Sequence, residues 1–134
     1  MTKPLVFVVA AALMDAQDRV LLARRPEGKS MAGLWEFPGG KVESGETPEA
    51  ALCRELKEEL QVEAAPGDLQ SFNFASFDYP KFHLFMPLYI LRVWKGEPVP
   101  LEGQAIEWVK PTDLKTYPAP PADIPLFEAL AARF

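Results

Sequence analysis

The sequence predicts a single α/β domain, residues 1–134, with a mixed β-sheet and a helix on each face. Strand-like and helix-like segments alternate along only 134 residues, a pattern that packs helices against a sheet rather than building separate all-α and all-β parts. Hydrophobic residues make up 49% of the chain and charged residues 25%, the balance of one globular core. A chain of this size buries roughly two-thirds of the surface its unfolded form exposes, so the fold needs no disulfide or structural metal.

Residues 5–14 (LVFVVAAALM) and 20–23 are apolar runs separated by Asp15, Ala16, Gln17 and Asp18, which reads as a strand, a turn and a second strand paired as a hairpin. The first run has about the length of a signal-peptide core. One positive charge precedes it and Asp15 follows, so a buried strand is expected rather than a targeting segment. It also falls far short of the roughly 18 apolar residues that span a bilayer. Residues 24–33, with Pro26, Gly28 and Gly33, form a loop, and Leu34, Trp35, Glu36 and Phe37 form a short apolar segment that Pro38, Gly39 and Gly40 break.

Thr47 suits a helix N-cap and Pro48 the first helical position, and Leu52, Leu56 and Leu60 then recur every four residues. Pro66, Gly67 and Asp68 end this region. Phe72, Phe74 and Phe77 mark another strand, residues 79–81 turn, and residues 82–94 form a long strand in which Pro87 implies an edge or a bulge. A polar loop over 95–104, a short strand over 106–109 and a proline-rich link over 117–121 follow. Residues 124–133 close the chain as a helix with Asp123 as N-cap.

Composition narrows the chemistry. Cys53 is the only cysteine and His83 the only histidine, which excludes internal disulfides and sites built from several Cys or His ligands. The lone cysteine suits a reducing, cytoplasmic setting. Cys53 reads as core filler and His83 as a packed or surface side chain. Hydrolytic chemistry would rest on carboxylates, a bound metal or both. With 19 acidic against 14 basic residues the net charge is −5, a poor match for a nucleic-acid polymer, whose phosphates need clustered Lys and Arg. Residues 43–63 hold seven acidic and two basic side chains, which accounts for that entire net charge.

At about 100° per residue, Glu55, Glu58 and Glu59 share one helix face while Leu52, Leu56 and Leu60 share the next. Like charges three and four residues apart repel by a few tenths of a kcal/mol per pair, which a cation would relieve. Hard cations such as Mg²⁺ take carboxylate, water and phosphate oxygens. A solvated acidic face is the alternative.

Gly40, Glu46, Arg54-Glu55-Leu56, Glu58-Glu59 and Val62 resemble the Nudix box, G-x5-E-x7-R-E-U-x-E-E-x-G-U. One position departs: Gln61 stands where the family has glycine, which should cost stability at a helix C-cap rather than remove chemistry. Residues 34–46, 94–104 and 117–126 also resemble the MutT branch, whose members hydrolyse nucleoside triphosphates. The resemblance implies an α/β/α Nudix sandwich with a mixed central β-sheet. It further implies Mg²⁺-dependent attack of water on a triphosphate, with Mn²⁺ a possible substitute, releasing a nucleoside monophosphate and pyrophosphate.

Carried over by position, Glu58, Glu59 and the Gly39 carbonyl would ligate metal, and Glu55 would be a further ligand or the base that orients water. Arg54 would hold the glutamates. Glu102 matches a second acidic position that approaches the metal from a loop; a solvent-exposed loop glutamate is its other reading. Arg25 would reach the phosphates or the base, unless it is a surface Arg beside Arg24. Phe37, and more weakly Phe82, would pack near the nucleobase, although both also suit a core. Asp123 stands where 8-oxo-dGTP diphosphatases often carry asparagine. An amide donates and accepts, whereas an ionised aspartate only accepts.

Three functions compete: an 8-oxo-dGTP diphosphatase sanitising the nucleotide pool, a CTP or 5-substituted dCTP pyrophosphohydrolase favoured by Asp123 and Trp35, and a non-catalytic nucleotide-binding module. In each the partner is a small nucleotide, with no nucleic-acid polymer, no membrane and no second subunit.

Overall fold

In the computed structural model, which describes residues 3–134, seven strands and two α-helices form an α/β/α sandwich. Met1 and Thr2, the start of the segment weighed as a targeting signal, lie outside the described residues. The strands are β1 (Leu5–Leu13), β2 (Val20–Arg24), β3 (Trp35–Glu36), β4 (Gly39–Lys41), β5 (Leu69–Asp78), β6 (His83–Leu91) and β7 (Ala105–Val109), and the helices α1 (Pro48–Leu60) and α2 (Ile124–Arg133).

A four-stranded mixed sheet has the order β4-β1-β6-β5, with β1 and β6 parallel, and a three-stranded antiparallel sheet has the order β3-β2-β7. Successive residues of a strand point to opposite faces, and β1 uses both. Val9, Ala11 and Leu13 join Leu52, Leu56 and Leu60 of α1 in one buried cluster, while Ala10 and Ala12 join Leu126, Phe127 and Leu130 of α2 in the other. Every one of these side chains is below 4% exposed, so β1 is the septum between two cores and sets both helices in place.

The sandwich differs from expectation at three places. The turn at residues 15–18 forms, but β1 and β2 share only the bridge Met14–Val20 because β4 and β6 occupy both edges of β1. The hairpin is therefore a corner where the chain passes from one sheet to the other. Pro87 lies in β6, a central strand, not an edge. Register to β1 holds at Phe7–Phe85 and resumes at Ala10–Leu88, so the missing proline N–H falls in an interruption of the ladder, and the bulge sits on β5 at Phe72. Gly39 and Gly40 break the preceding segment yet begin β4 against β1, and a Cβ on Gly39 would collide with Val9 O.

A 3₁₀ turn at Pro111–Thr116 went unpredicted. The proline-rich link then supplies Pro118 O to Trp35 N at 2.7 Å, while Tyr117 meets Trp35 edge-on at 5.4 Å. Cys53 is half-buried near Asp68 rather than in either core. His83 is a surface residue bonded to Ser76 Oγ at 2.7 Å.

Helix α1 forms as its sequence dictates: Thr47 Oγ1 accepts from Ala50 N at 3.1 Å, Pro48 starts the first turn, and Gln61 ends the helix in the left-handed region at φ 61°. A side chain there is strained where glycine is not. Gln61→Gly should raise stability by about 0.5–1 kcal/mol, the usual gain from relieving such a conformation less the added unfolded-state entropy. Urea unfolding of both proteins measures it, and a midpoint at or below that of the parent chain contradicts the assignment.

Candidate active site

The leucine stripe of α1 anchors the helix, and Arg54 organises its acidic face. The guanidinium grips Glu46 with two nitrogens, Nε at 2.7 Å and Nη2 at 3.0 Å. Nη1 reaches Glu55 at 2.9 Å and Glu58 at 3.4 Å, and Nη2 reaches Glu43 at 3.1 Å and the Lys41 carbonyl at 3.2 Å. One planar cation thus gathers four carboxylates, geometry that a lysine could not reproduce. It pushes the Glu46 carboxyl down to about 2, while the glutamates hold Arg54 well above its ordinary range. Gly40 belongs to the same arrangement, since a Cβ there would strike the Glu55 carboxyl.

Glu59 projects into a cavity of about 190 Å³ with Gly39, Glu102, Glu36, Arg25 and Lys29. The loop after β6 is sewn to the end of α1 there: Val99 N donates to Leu60 O at 2.8 Å and Leu101 N to Glu59 O at 3.0 Å. Gln104 donates to Glu59 O at 3.2 Å and accepts from Glu102 N at 2.8 Å, which brings Glu102 to the cavity rim. Glu59 Oε2 is buried with no hydrogen-bond partner. Burial first, then the charges of Glu55, Glu102 and Glu36, push its carboxyl up to about 8, and only the Gly39 N–H draws it down. Buried polar atoms without partners are rare and costly, and an oxygen orphaned among carboxylates fits a hard cation. Glu55 is raised for the same leading reason, burial, with Arg54 opposing.

The expected metal set is gathered only in part. Gly39, Glu59 and Glu102 line the cavity, whereas Glu55 and Glu58 are turned onto Arg54. Among the described residues no three Asp, Glu, His or Cys side chains enclose a common point.

A second cavity, about 370 Å³, lies beside the first and shares Arg25 and Glu36 with it. Phe82 and Tyr79 lie along its wall with ring centroids 5.0 Å apart. Asp123 lines it too but is not the expected N-cap of α2: its backbone is helical, at φ −81° and ψ −25°, and its side chain makes no cap bond. The carboxylate instead accepts from Phe37 N at 3.4 Å and is 4% exposed. Burial and the charge of Glu36 push it up to about 7. Phe37, expected either near the nucleobase or in the core, has its ring packed edge-on against Phe127 at 5.2 Å and is 5% exposed, and it is not among the residues lining the cavity.

Arg25 is not a free surface residue. Its Nε meets Glu36 Oε2 at 2.9 Å and its Nη1 meets Ser30 O at 3.3 Å. Sequence reasoning missed Glu36 and Gln104. The available signal for Glu36 was a charge set between the aromatics Trp35 and Phe37.

The raised carboxyls make stability depend on pH. Folded Glu59 and Asp123 keep protons that the unfolded chain releases near pH 4, so their contribution is complete in acid and is lost as pH rises through 7 to 8. In metal-free buffer the melting temperature should therefore fall between pH 5 and 8.5. Glu59→Gln should raise it at pH 8, by roughly 3–5 °C for each kcal/mol relieved. Thermal scans across that range decide it, and no gain for Glu59→Gln at pH 8 contradicts the burial of an unpaired carboxylate.

The NUDIX domain model matches residues 4–130. The chain is 40% identical over 124 residues to the CTP pyrophosphohydrolase of Escherichia coli, covering 92% of this chain and 90% of that protein. It is 38% identical over 130 residues to the 8-oxo-dGTP diphosphatase of Haemophilus influenzae, covering 97% and 94%. The MutT structure from the work on the Aliivibrio salmonicida and Vibrio cholerae proteins superposes with a TM-score of 0.83 at 34% identity, covering 97% of this chain and 99% of that one. The solution structure of the E. coli ORF135 protein gives 0.84 at 37% identity, covering 97% and 91%. With the box residues disposed along α1 and the sandwich that holds them, the chain belongs to the Nudix family and is a MutT-like pyrophosphohydrolase acting on phosphorus anhydrides.

Proposed function

We propose that this protein, one Nudix domain over residues 1–134, is a Mg²⁺-dependent nucleoside triphosphate pyrophosphohydrolase. It converts a triphosphate and water to a monophosphate and pyrophosphate, with 8-oxo-dGTP as its substrate and cleansing of the nucleotide pool as its task. The observation that carries the reading is the pair of adjoining cavities. The first holds an orphaned buried carboxylate oxygen beside Arg25 and Lys29. The second is a partly apolar chamber with a buried carboxyl at its wall. A polyphosphate with its cation suits the first, and a nucleobase suits the second.

Glu59, Glu58, Glu55, Glu102 and the Gly39 carbonyl would hold Mg²⁺, or Mn²⁺ in its place. Bound there, the ion supplies polarisation of phosphoryl oxygens and lowers the pKa of coordinated water. Glu55, lifted by burial, orients the attacking water and takes its proton. Arg54 holds the glutamates against one another's repulsion. Arg25 and Lys29 bind phosphate oxygens, and Phe82 and Asp123 receive the base. Among the described residues no helix is long and apolar enough to cross a membrane. With no basic cluster for a polymer and one unpaired cysteine, the working form is a cytoplasmic monomer acting on free nucleotides.

Hydrolysis of cytosine triphosphates is the second reading. It is favoured by Asp123 in place of asparagine and by the relationship to the E. coli CTP pyrophosphohydrolase.

Assay of 8-oxo-dGTP, dGTP, dCTP and 5-methyl-dCTP for monophosphate and pyrophosphate release tests both readings. The expected order places 8-oxo-dGTP first, with activity dependent on Mg²⁺ and reduced more than about 100-fold by Glu59→Gln, beyond what loss of a supporting residue costs. Turnover of 8-oxo-dGTP no faster than dGTP and dCTP contradicts the sanitising role, and inactivity on both cytosine substrates removes the second reading. Arg54→Ala should weaken Mg²⁺ dependence by about 10–100-fold, the usual effect of losing a residue that positions ligands. Titration of activity with Mg²⁺ measures this, and an unchanged half-saturating concentration contradicts it.

A further inference from the structure

Residues 95–103 bring Glu102 to the first cavity with almost no burial of their own: Pro98 is half-buried and every other residue of the segment is exposed. Apolar contact does not hold such a segment, so hydrogen bonds must. At its start Lys95 exchanges two backbone bonds with Glu63, at 2.9 and 3.0 Å. Further on, Val99 N and Leu101 N donate to Leu60 O and Glu59 O, carbonyls that the last turn of a helix leaves without partners. Gln104 completes the attachment and, unlike the segment before it, is buried. Its Nε2 donates to Glu59 O at 3.2 Å and its Oε1 accepts from Glu102 N at 2.8 Å. Gly103, in the left-handed region at φ 76°, reverses the chain so that this side chain reaches back two residues. One amide therefore bridges the backbones of two glutamates whose carboxylates line the same cavity. Those carboxylates repel, and the charge of Glu102 is felt at Glu59.

Resting on the reading of Glu59 and Glu102 as cation ligands, we infer that Gln104 is a positioning residue: its amide ties the Glu102 backbone to the Glu59 backbone and so holds both carboxylates at the cavity before any cation binds. The task calls for an amide. The group must donate to a carbonyl at one end and accept from an N–H at the other, whereas an ionised carboxylate only accepts and an ammonium only donates. A glutamate at 104 would also add a further negative charge between two that already repel. With the loop fixed in advance, less ordering is left for the binding step, and affinity for the cation rises accordingly.

Binding of Mn²⁺ alone to the nucleotide-free protein, followed by the electron paramagnetic resonance of the free ion, tests the inference without any hydrolysis. Gln104→Met keeps the length of the side chain and removes both hydrogen bonds. It should weaken Mn²⁺ binding about 10–100-fold, the usual effect of losing a group that orients a ligand. Glu102→Gln should weaken it too, and the double variant should bind within about twofold of Glu102→Gln alone, since a residue acting through Glu102 then has nothing left to position. A merely structural role would make the two losses multiply. In the metal-free protein, Gln104→Met should speed hydrogen exchange of the Glu102 amide by about tenfold while amides inside α1 keep their rates. The inference is overturned by unchanged Mn²⁺ affinity in Gln104→Met or in Glu102→Gln, or by losses that multiply. A Glu102 amide that exchanges in the wild type as fast as in an unstructured peptide overturns it as well, and this measurement decides alone should Gln104→Met not fold. Mn²⁺ binding that follows the expected pattern in a protein that hydrolyses no nucleoside triphosphate would instead overturn the pyrophosphohydrolase reading and leave this one standing.

Discussion

A single guanidinium makes the acidic segment foldable. Seven carboxylates lie within residues 43–63, and their mutual repulsion would work against a helix whose only large favourable term is its leucine stripe. Arg54 binds Glu46 through two nitrogens and touches Glu43, Glu55 and Glu58. The loop before α1, the helix itself and the end of β4 at Lys41 O are thereby tied at one point. Arg54 also defines what remains unsatisfied. Glu59 is not among its partners and keeps a buried Oε2 without a hydrogen bond, so the unsatisfied charge is concentrated on one carboxylate rather than spread over the face.

The septum formed by β1 turns that local arrangement into a site. Its two faces position α1 and α2 on opposite sides, one bringing the glutamates and the other Asp123. The chain crosses between sheets at the corner after β1, so that β3 and the loop after β2 lie where the two helices' functional ends converge. Arg25 and Glu36 sit at this junction and border both cavities. Glu36 acts on both sides electrostatically, raising Glu59 in one direction and Asp123 in the other. A change at this ion pair would thus be felt in both cavities together, whereas a change in Arg54 would act on the first alone.

Legibility in the sequence followed locality. Helix α1, its cap, its left-handed end at Gln61 and the acidic stripe could all be read because each depends on residues within a few turns of one another. The expected strands were found within a few residues of their places for the same reason. Their partners were not. Whether residues 5–14 pair with 20–23 depends on what else competes for the edges of β1, and those competitors, β4 and β6, come from elsewhere in the chain. Pro87 misled in the same way: its lost N–H is absorbed by an interruption in a central ladder, which no local pattern reveals.

The sequence by itself determined the reaction class and the residues that bear its charge, since a run of carboxylates at helical spacing around one arginine admits few chemistries. Only the tertiary structure decided the surroundings of Asp123. Phe37 and Asp123 stand 86 residues apart, yet the N–H of one meets the carboxyl of the other, and burial there, with the charge of Glu36 beside it, pushes that carboxyl up to about 7. A residue type is written in the sequence, but its protonation belongs to its surroundings, and those exist only once the chain has folded.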